Sequence, residues 1–280
     1  MHRTAGTLRV FGLFPFPSFL SPPATNASRW AASEHRQAMK KRIDSWLVIS
    51  LLVLLVACQF KPRFINHSQP NLSVTFDVFN DGGCLKDSSG QCMSESSLAA
   101  LGCDEIQVPS SLIGGLYPAY PIAECWLIPD QTTVETQAEI EKGLYFFYTG
   151  GLFGNYVRYI IFQDDEFRLL KSEDEFRAIY APVETPEEAL SYVLAVTNLS
   201  AYYGLAHDPA YKYEVGTIED THVTPEPDGY KVHLFHDSVF GCGPHWISEV
   251  EMHVSAEGIV REMSSKPLFR DPNQDDLCVD

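Results

Sequence analysis

Apolar residues in the second half of the chain recur first at helical spacing, which predicts one main helix. The members of this apolar stripe are Ala189, Val193, Val196, Leu199 and Tyr203. Thr185 and Glu188 have the spacing of a capping box, with Pro186 at the first helical position. Gly204 is a residue type that commonly ends a helix. The pattern therefore predicts a helix over about 186–203.

After this helix the apolar positions alternate with polar ones, which is typical of antiparallel strands that bury one face. The predicted strands cover residues 211–223 in two pieces, 230–234, 246–254 and 259–263. Ala256-Glu257-Gly258 has the composition of a hairpin turn between the last two strands. We therefore expect an antiparallel sheet that packs against the main helix.

The segment before the main helix predicts further strands and a short helix. Residues 143–163 contain two aromatic, strand-like runs around glycine-rich turns and predict a hairpin, which 167–170 extends. Ser172 and Glu175 favour a short helix that ends before Pro182. The predicted fold class is α+β: an antiparallel sheet on one main helix (about 186–203), with a disulfide-rich N-terminal subregion.

Near the N-terminus, an apolar run covers residues 47–57 and follows the basic residues Lys40, Lys41 and Arg42. A transmembrane helix needs about 20 apolar residues, so this run is too short to span a bilayer. A basic region followed by about 7–15 apolar residues is typical of a signal peptide. The alternative is an uncleaved signal anchor or a buried strand.

The end of this run, Leu55-Val56-Ala57-Cys58, resembles the lipobox of bacterial lipoproteins. The resemblance covers residues 39–58. It implies that the thiol of Cys58 receives a diacylglyceryl group and that a peptidase cuts directly before this residue. The expected location is therefore the cell membrane, with a lipid anchor and an extracytoplasmic domain.

These observations divide the chain into five parts. Residues 1–38 lack a clear period and lie ahead of Met39, where the signal peptide begins; we expect a mis-assigned start, with an unstructured leader as the alternative. The remaining parts are a lipoprotein signal peptide (39–57), a polar tether (58–73), a cysteine-rich subregion (74–130) and the α+β domain (131–280). Removal of residues 1–57 leaves a mature chain of 223 residues.

The mature chain is strongly acidic. It has 13 basic and 35 acidic residues and a formal net charge of −22, compared with −17 for the whole sequence. Such a surface repels the phosphates of nucleic acids. Nucleic acid is therefore not an expected partner; the expected partners are the membrane, through the anchor, and a protein or small molecule of unknown identity.

An even set of six cysteines remains once Cys58 is assigned to lipidation. They are Cys84, Cys92, Cys103, Cys125, Cys242 and Cys278. In an exported domain such a set predicts disulfides. The sequence separation favours a Cys242–Cys278 bridge and two bridges among the first four. Zinc is the alternative use, but no two of these cysteines have the C-x-x-C spacing.

Three further sets of residues are candidates for chemistry. The first contains four histidines on or beside the C-terminal strands: His233, His236, His245 and His253. Zinc needs three or four ligands at one point, whereas His233 and His236 point to opposite sides of a strand. We expect surface and edge histidines rather than a metal site.

The other two sets also have simpler explanations. Cys242 near His245 has the residue types of a thiol nucleophile and its base, although a disulfide with Cys278 is favoured. The tail has the start of a calcium-loop pattern, but position six lacks the glycine, so a solvated acidic tail is expected. The oxygen-bearing residues of that tail are Asp271, Asn273, Asp275, Asp276 and Asp280.

The order of a long helix before several antiparallel strands loosely resembles cystatin-like and NTF2-like domains, without a shared motif. We find no catalytic motif and expect no cofactor and no enzymatic activity. The leading hypothesis is a non-enzymatic envelope lipoprotein that binds a partner or has a structural role. The alternatives are a metal-dependent hydrolase that uses the C-terminal histidines and an inhibitor-like module.

Overall fold

The structure, a computed structural model, describes residues 61–81, 98–129, 131–152 and 154–279, which contain mainly antiparallel strands. The helices are α1 (Asp77–Asp81), α2 (Val134–Ile140), α3 (Glu173–Tyr180) and α4 (Pro186–Val196). The strands are β1 (Arg63–Ile65), β2 (Glu105–Gln107), β3 (Ile122–Leu127), β4 (Phe147–Thr149), β5 (Asn155–Gln163), β6 (Glu166–Leu170), β7 (Lys212–Tyr213), β8 (Thr217–Glu219), β9 (His222–Glu226), β10 (Gly229–Ser238), β11 (Gly241–Cys242), β12 (Trp246–Ser255), β13 (Val260–Arg270) and β14 (Cys278–Val279). The fold class is α+β, as predicted from the sequence.

The main helix begins where the capping box predicts. The side chain of Thr185 accepts from the backbone N–H of Glu188, and the Glu188 carboxylate accepts from the backbone N–H of Thr185. All residues from Ala189 to Val196 are buried.

The predicted end of α4 at 203 is wrong, because the helix ends at Val196. Thr197 is already extended, and its hydroxyl donates to the carbonyl oxygen of Val193. Ser200 then exchanges two backbone hydrogen bonds with Phe235 of β10, at 2.8 and 2.9 Å. Pairing with the sheet therefore replaces the last helical turns.

The C-terminal sheet has the strand order β7-β13-β12-β10-β9 with antiparallel neighbours. One face packs against α4 and forms the main hydrophobic core. Its buried members on β10 and β12 are Val232, Leu234, Val250, Met252 and Val254. The alternation predicted for β12 is confirmed, whereas β10 is buried on both faces from Val232 to Phe235. The opposite face carries His233, Phe235 and Glu251.

The N-terminal half forms a second sheet, ordered β2-β3-β5-β4, with β6 paired to β5. The predicted hairpin over 143–163 is present as β4 and β5, and the predicted third strand as β6. A disulfide joins Cys103 to Cys125 of β3, whose side chain is fully buried in a separate hydrophobic cluster with Leu127 and Ile160. Cys58, Cys84 and Cys92, and the predicted segments 1–38 and 39–57, lie outside the described residues.

Two terminal segments differ from expectation. Within the predicted tether (58–73), β1 pairs in parallel with β8, from Arg63 opposite Thr217 to Ile65 opposite Glu219. The side chain of Phe64 packs against a small buried cluster on the second face of the C-terminal sheet. The sequence lacks a period here because three residues are too few to show one.

The tail is more ordered than the predicted acidic loop. Residues Pro272–Gln274 form a 3-10 turn, and β14 pairs with β11. Cys242 and Cys278 form the predicted disulfide between these two strands. Across the described residues, no helix combines the length and the apolar character needed to cross a bilayer.

Candidate functional site

A cluster of histidines and carboxylates lies where β1, β8 and β9 meet. His67 follows β1, Glu219 is the last residue of β8 and His222 is the first residue of β9. The parallel register of β1 and β8 places Ile65 opposite Glu219, so the chain that leaves β1 passes beside Glu219. Each of the three residues offers a ligand atom, and these atoms lie within 4.8 Å of one another.

The buried carboxylate of Asp220 holds the segments around this cluster together. It is fully buried and accepts from the backbone N–H groups of His67, Gly204 and Leu205 at 3.2, 2.7 and 3.1 Å. It also accepts from the side-chain amide of Asn66 at 3.1 Å. Several N–H donors compensate a buried carboxylate for its lost hydration. The backbone position of His67 therefore depends on Asp220.

The side chains of His67, Glu219 and His222 make a connected set of contacts. His67 Nε2 lies 2.7 Å from Glu219 Oε1, and the two imidazole rings stack with centroids 4.6 Å apart. His222 Nδ1 lies 2.9 Å from the carbonyl oxygen of Asp220 and 3.8 Å from Glu219 Oε1. A carbonyl oxygen only accepts, so Nδ1 of His222 carries a proton and donates to it.

The charge of Glu219 is stabilised by its histidine neighbours. The hydrogen bond from His67 lowers the pKa of the Glu219 carboxyl, against the smaller opposing effect of burial. The nearby imidazoles of His222, His67 and His233 lower it further. Glu219 is therefore an ionised carboxylate surrounded by imidazoles at neutral pH.

His233 lies behind His222 in the same stack of rings. The two residues are cross-strand partners on β10 and β9, and their ring centroids are 5.0 Å apart. His233 Nδ1 lies 2.8 Å from Oε1 of Glu251, whose Oε2 lies 2.9 Å from Lys231 Nζ. The imidazole is 4 % exposed, and its Nε2 has no hydrogen-bond partner in the described part of the chain.

The carboxyl of Glu251 balances burial against these partners. Burial is the largest single effect and raises the pKa of this carboxyl, but the hydrogen bonds from His233 and Lys231 and the charges of both groups together lower the net pKa. Since an ionised carboxylate only accepts, His233 donates to Glu251 from Nδ1.

The cluster opens onto a cleft of about 200 Å³. The cleft lies between the cluster and the start of α4, and its walls include His67, Ser68, Pro186, Glu187, Tyr203 and His222. The side chains of His67 and Glu219 are each 36 % exposed, and that of His222 is 19 % exposed. A small solute can therefore reach His67 and His222 through the cleft, and Glu219 is itself partly exposed to solvent.

A second, more exposed group of possible ligands lies at the turn between β9 and β10. Glu226 and Asp228 flank the turn, and His253 of β12 approaches them, with its Nε2 at 3.8 and 3.3 Å from their carboxylate oxygens. The group borders a larger, open cleft of about 650 Å³ that also contains Tyr230 and Arg261. Both carboxylates are solvated, so this group is less preorganised than the first.

The four histidines considered from the sequence do not form a common site. His233 is buried with Glu251, and His236 of the same strand points to the opposite side, as strand alternation predicts, and is exposed. His245 is buried with its ring nitrogens 3.2 Å from the carbonyl oxygens of Ser238 and Leu277. His253 belongs to the second group. In the described ranges, no set of ligands contains three of the four.

The other two candidate sets are occupied by structural contacts. Cys242 is bonded to Cys278 and has no thiol for nucleophilic attack. In the tail, Asp271 Oδ1 accepts from the backbone N–H of Asn273 at 2.9 Å and from its side-chain amide at 3.0 Å. Asp275 forms an ion pair with Arg270. These contacts cap the 3-10 turn rather than converge on an ion; Asp280 lies outside the described residues.

Sequence reasoning missed His67, Glu219 and His222. His67 lies in the polar segment predicted as a tether, 152 residues before Glu219. The short spacing of Glu219 and His222 was a local pattern that could have been noticed, but it spans the end of one strand and the start of another. Only the parallel pairing of β1 with β8 adds the third donor.

Comparisons with known proteins identify no relative. The chain matches no protein-family model, and neither the curated proteins nor the solved structures contain a significant match.

Proposed function

We propose that this chain is a bacterial lipoprotein, anchored to the cell membrane by lipid on Cys58, whose extracytoplasmic domain binds a ligand or partner without catalysing a reaction. The observation that carries the proposal is the pair of disulfides, Cys103–Cys125 and Cys242–Cys278, in the domain that follows the lipobox-like segment. Disulfides form and persist in oxidising, exported compartments. The disulfides and the lipobox resemblance therefore both support a location of the domain on the extracytoplasmic side of the membrane.

The geometry of the described residues favours binding over catalysis. Cys242, three residues before His245, is bonded to Cys278, and the four C-terminal histidines do not converge on one point in the described residues. The two clefts instead combine charged and apolar walls with polar side chains already held by hydrogen bonds. Such preorganised concave surfaces are typical of ligand sites. An inhibitor-like module remains a prediction that a partner screen can test.

The acidic composition limits the partners of the anchored domain. The mature chain has a net charge of −22, so long-range repulsion opposes approach of nucleic acids and anionic headgroups. The same charge attracts cations and basic protein surfaces. We therefore expect the lipid itself, rather than a basic patch of the domain, to hold the protein at the membrane.

Expression of the full chain in a bacterium tests the anchor directly. We expect the protein in the membrane fraction, and mass spectrometry should find an N-terminal peptide that begins at acylated Cys58. Cys58→Ala should prevent both acylation and cleavage, so residues 39–57 should stay attached. Cys242→Ser, which changes a cysteine of the same chain without touching the lipobox, is the matched control and should still be acylated. An unmodified Cys58 with residues 39–57 intact in the parent protein would exclude the lipoprotein proposal.

A further inference from the structure

The arrangement of His67, Glu219 and His222 brings together two imidazoles and one carboxylate from segments that are far apart in sequence. Their ligand atoms already lie within 4.8 Å of one another, although the first two are linked by a 2.7 Å hydrogen bond. A metal ion binds only deprotonated ligand atoms, so it would displace the proton of the hydrogen bond between His67 and Glu219. The side chains therefore need only small shifts to separate around an ion.

We propose that His67, Glu219 and His222 bind a divalent transition-metal cation, with zinc as the best chemical match. Imidazole nitrogen and carboxylate oxygen together suit zinc, whereas calcium and magnesium prefer sets made entirely of oxygen ligands. The inference names a ligand for the domain and does not depend on the lipid anchor. It therefore goes beyond the proposed function and can fail or succeed independently of it.

One contact of His222 is typical of a histidine that binds a metal. Metal-binding histidines usually donate the second ring N–H to a backbone carbonyl or a carboxylate, which fixes the tautomer. His222 does so through Nδ1 to the carbonyl oxygen of Asp220, at 2.9 Å. The carboxylate of the same Asp220 accepts from the backbone N–H of His67. Asp220 thus orients the ring of His222 and fixes the backbone position of His67.

His233 provides an independent observation beside the three donors. Its imidazole stacks on that of His222 and donates to Glu251, which is the same outer-shell arrangement. Its Nε2 is buried without a hydrogen-bond partner in the described residues. Buried polar atoms without partners are rare and costly, and an ion or a bound water is a common explanation. The ring of His233 lies behind that of His222 and is not one of the three converging donors, so this nitrogen supports a water bound beside the site.

Access and charge also favour the site. The 200 Å³ cleft connects His67 and His222 to solvent, so an ion has an entry path. The strongly negative domain raises the local concentration of cations. With three protein donors, one coordination position faces solvent or a ligand, as in zinc sites that bind exchangeable groups.

The second group, Glu226, Asp228 and His253, is the main competitor. It offers one nitrogen instead of two, and its carboxylates are solvent-exposed at a turn. Solvated carboxylates hold a borderline-soft ion less selectively than imidazoles do. The second group therefore serves as an internal control rather than as an equal candidate.

The test uses the full-length chain, purified in detergent without a polyhistidine tag, treated with a chelator and then dialysed. Titration with ZnCl2 alone, followed by calorimetry, should show one tight site per chain. His67→Asn, His222→Asn and Glu219→Gln should each weaken zinc binding by at least about 10-fold, because each removes a ligand. His236→Asn, an exposed histidine of β10, and His253→Asn, from the second group, are the matched controls and should change the affinity by less than about 2-fold.

Cobalt(II) spectroscopy separates the possible ligand sets. We expect absorption typical of four-coordinate cobalt bound by nitrogen and oxygen, without thiolate-to-cobalt charge transfer, and loss of that spectrum in His222→Asn. Zinc should also raise the thermal midpoint of the parent and of His236→Asn but not that of Glu219→Gln, provided that circular dichroism shows each variant folded. His67 is half-exposed, so His67→Asn remains an interpretable variant if a more buried change prevents folding.

Three results would overturn the proposal. Binding that all three ligand variants retain unchanged would exclude these donors. Loss of binding in His253→Asn alone would place the ion at the turn between β9 and β10. Thiolate charge transfer would place it at cysteines outside the described residues. None of these results bears on acylation of Cys58, which the mass spectrum of the N-terminus decides separately.

Discussion

Arg158 and Glu139 form an ion pair between β5 and α2, with Arg158 Nη1 3.0 Å from Glu139 Oε2. The arginine side chain is only 1 % exposed, and its Nε also donates to the carbonyl oxygen of Leu144 at 2.7 Å. Glu139 Oε1 accepts from Lys171 at 2.6 Å. One carboxylate therefore compensates a buried guanidinium and joins β5, α2 and the end of β6.

Glu139→Gln should destabilise the fold through this pair. The change leaves the Arg158 guanidinium buried beside a neutral amide, and removal of one partner from a buried pair is costly. Because Glu139 is 29 % exposed, solvent screening reduces the effect, and we expect a loss of roughly 1–3 kcal/mol in the free energy of unfolding. Urea unfolding measures it. Glu141→Gln, an exposed position directly after α2, is the control and should stay within about 0.5 kcal/mol.

The same carboxyl predicts a loss of stability in acid. The hydrogen bond from Lys171 lowers the pKa of Glu139 below its ordinary value of 4.5, with a further contribution from Arg158. A group whose pKa is lowered in the folded state stabilises it above the unfolded pKa, and this contribution is lost as the pH falls through the folded pKa. Urea midpoints between neutral pH and about pH 3 should therefore fall less steeply in Glu139→Gln than in the parent. Parallel pH profiles for the two proteins would contradict this role.

Thr185→Ala should weaken the start of α4. The substitution removes the oxygen that accepts from the Glu188 backbone N–H at 3.1 Å and opens one half of the capping box. We expect a loss of about 1 kcal/mol in the free energy of unfolding. Thr185→Ser keeps the hydroxyl and should recover most of the loss. Equal stability of the alanine and serine variants would show that the hydroxyl does not stabilise the helix.

Removal of one disulfide should lower the global stability of the fold, whereas removal of the other should mainly release a local segment. Cys103–Cys125 is anchored by a fully buried residue of β3, so Cys103→Ser with Cys125→Ser should lower the global stability, by about 2–5 kcal/mol. Cys242–Cys278 joins two exposed two-residue strands, and its removal should mainly release the tail. Hydrogen exchange should then rise in residues 272–279 while the sheet core stays protected. Equal global losses for both pairs would contradict this distinction.

The sequence by itself determined the elements whose cause is local. The capping residues Thr185 and Glu188 fix where α4 begins, and the alternation along β12 fixes which of its residues face α4. The hairpin over 143–163 follows from its glycine-rich turns and strand-forming aromatics. Each of these features depends on residues a few positions apart, so a linear pattern contains the required information.

Tertiary structure decided the elements that depend on distant partners. The end of α4 is set by the backbone bridge between Ser200 and Phe235, which no helical pattern can express. Strand β1 exists because it pairs with β8. Each residue of β1 lies opposite the residue that follows it by 154 positions in the sequence. The cluster of His67, Glu219 and His222 follows from that pairing and from the buried Asp220. A metal site needs several donors at one point, and only the folded chain supplies that convergence.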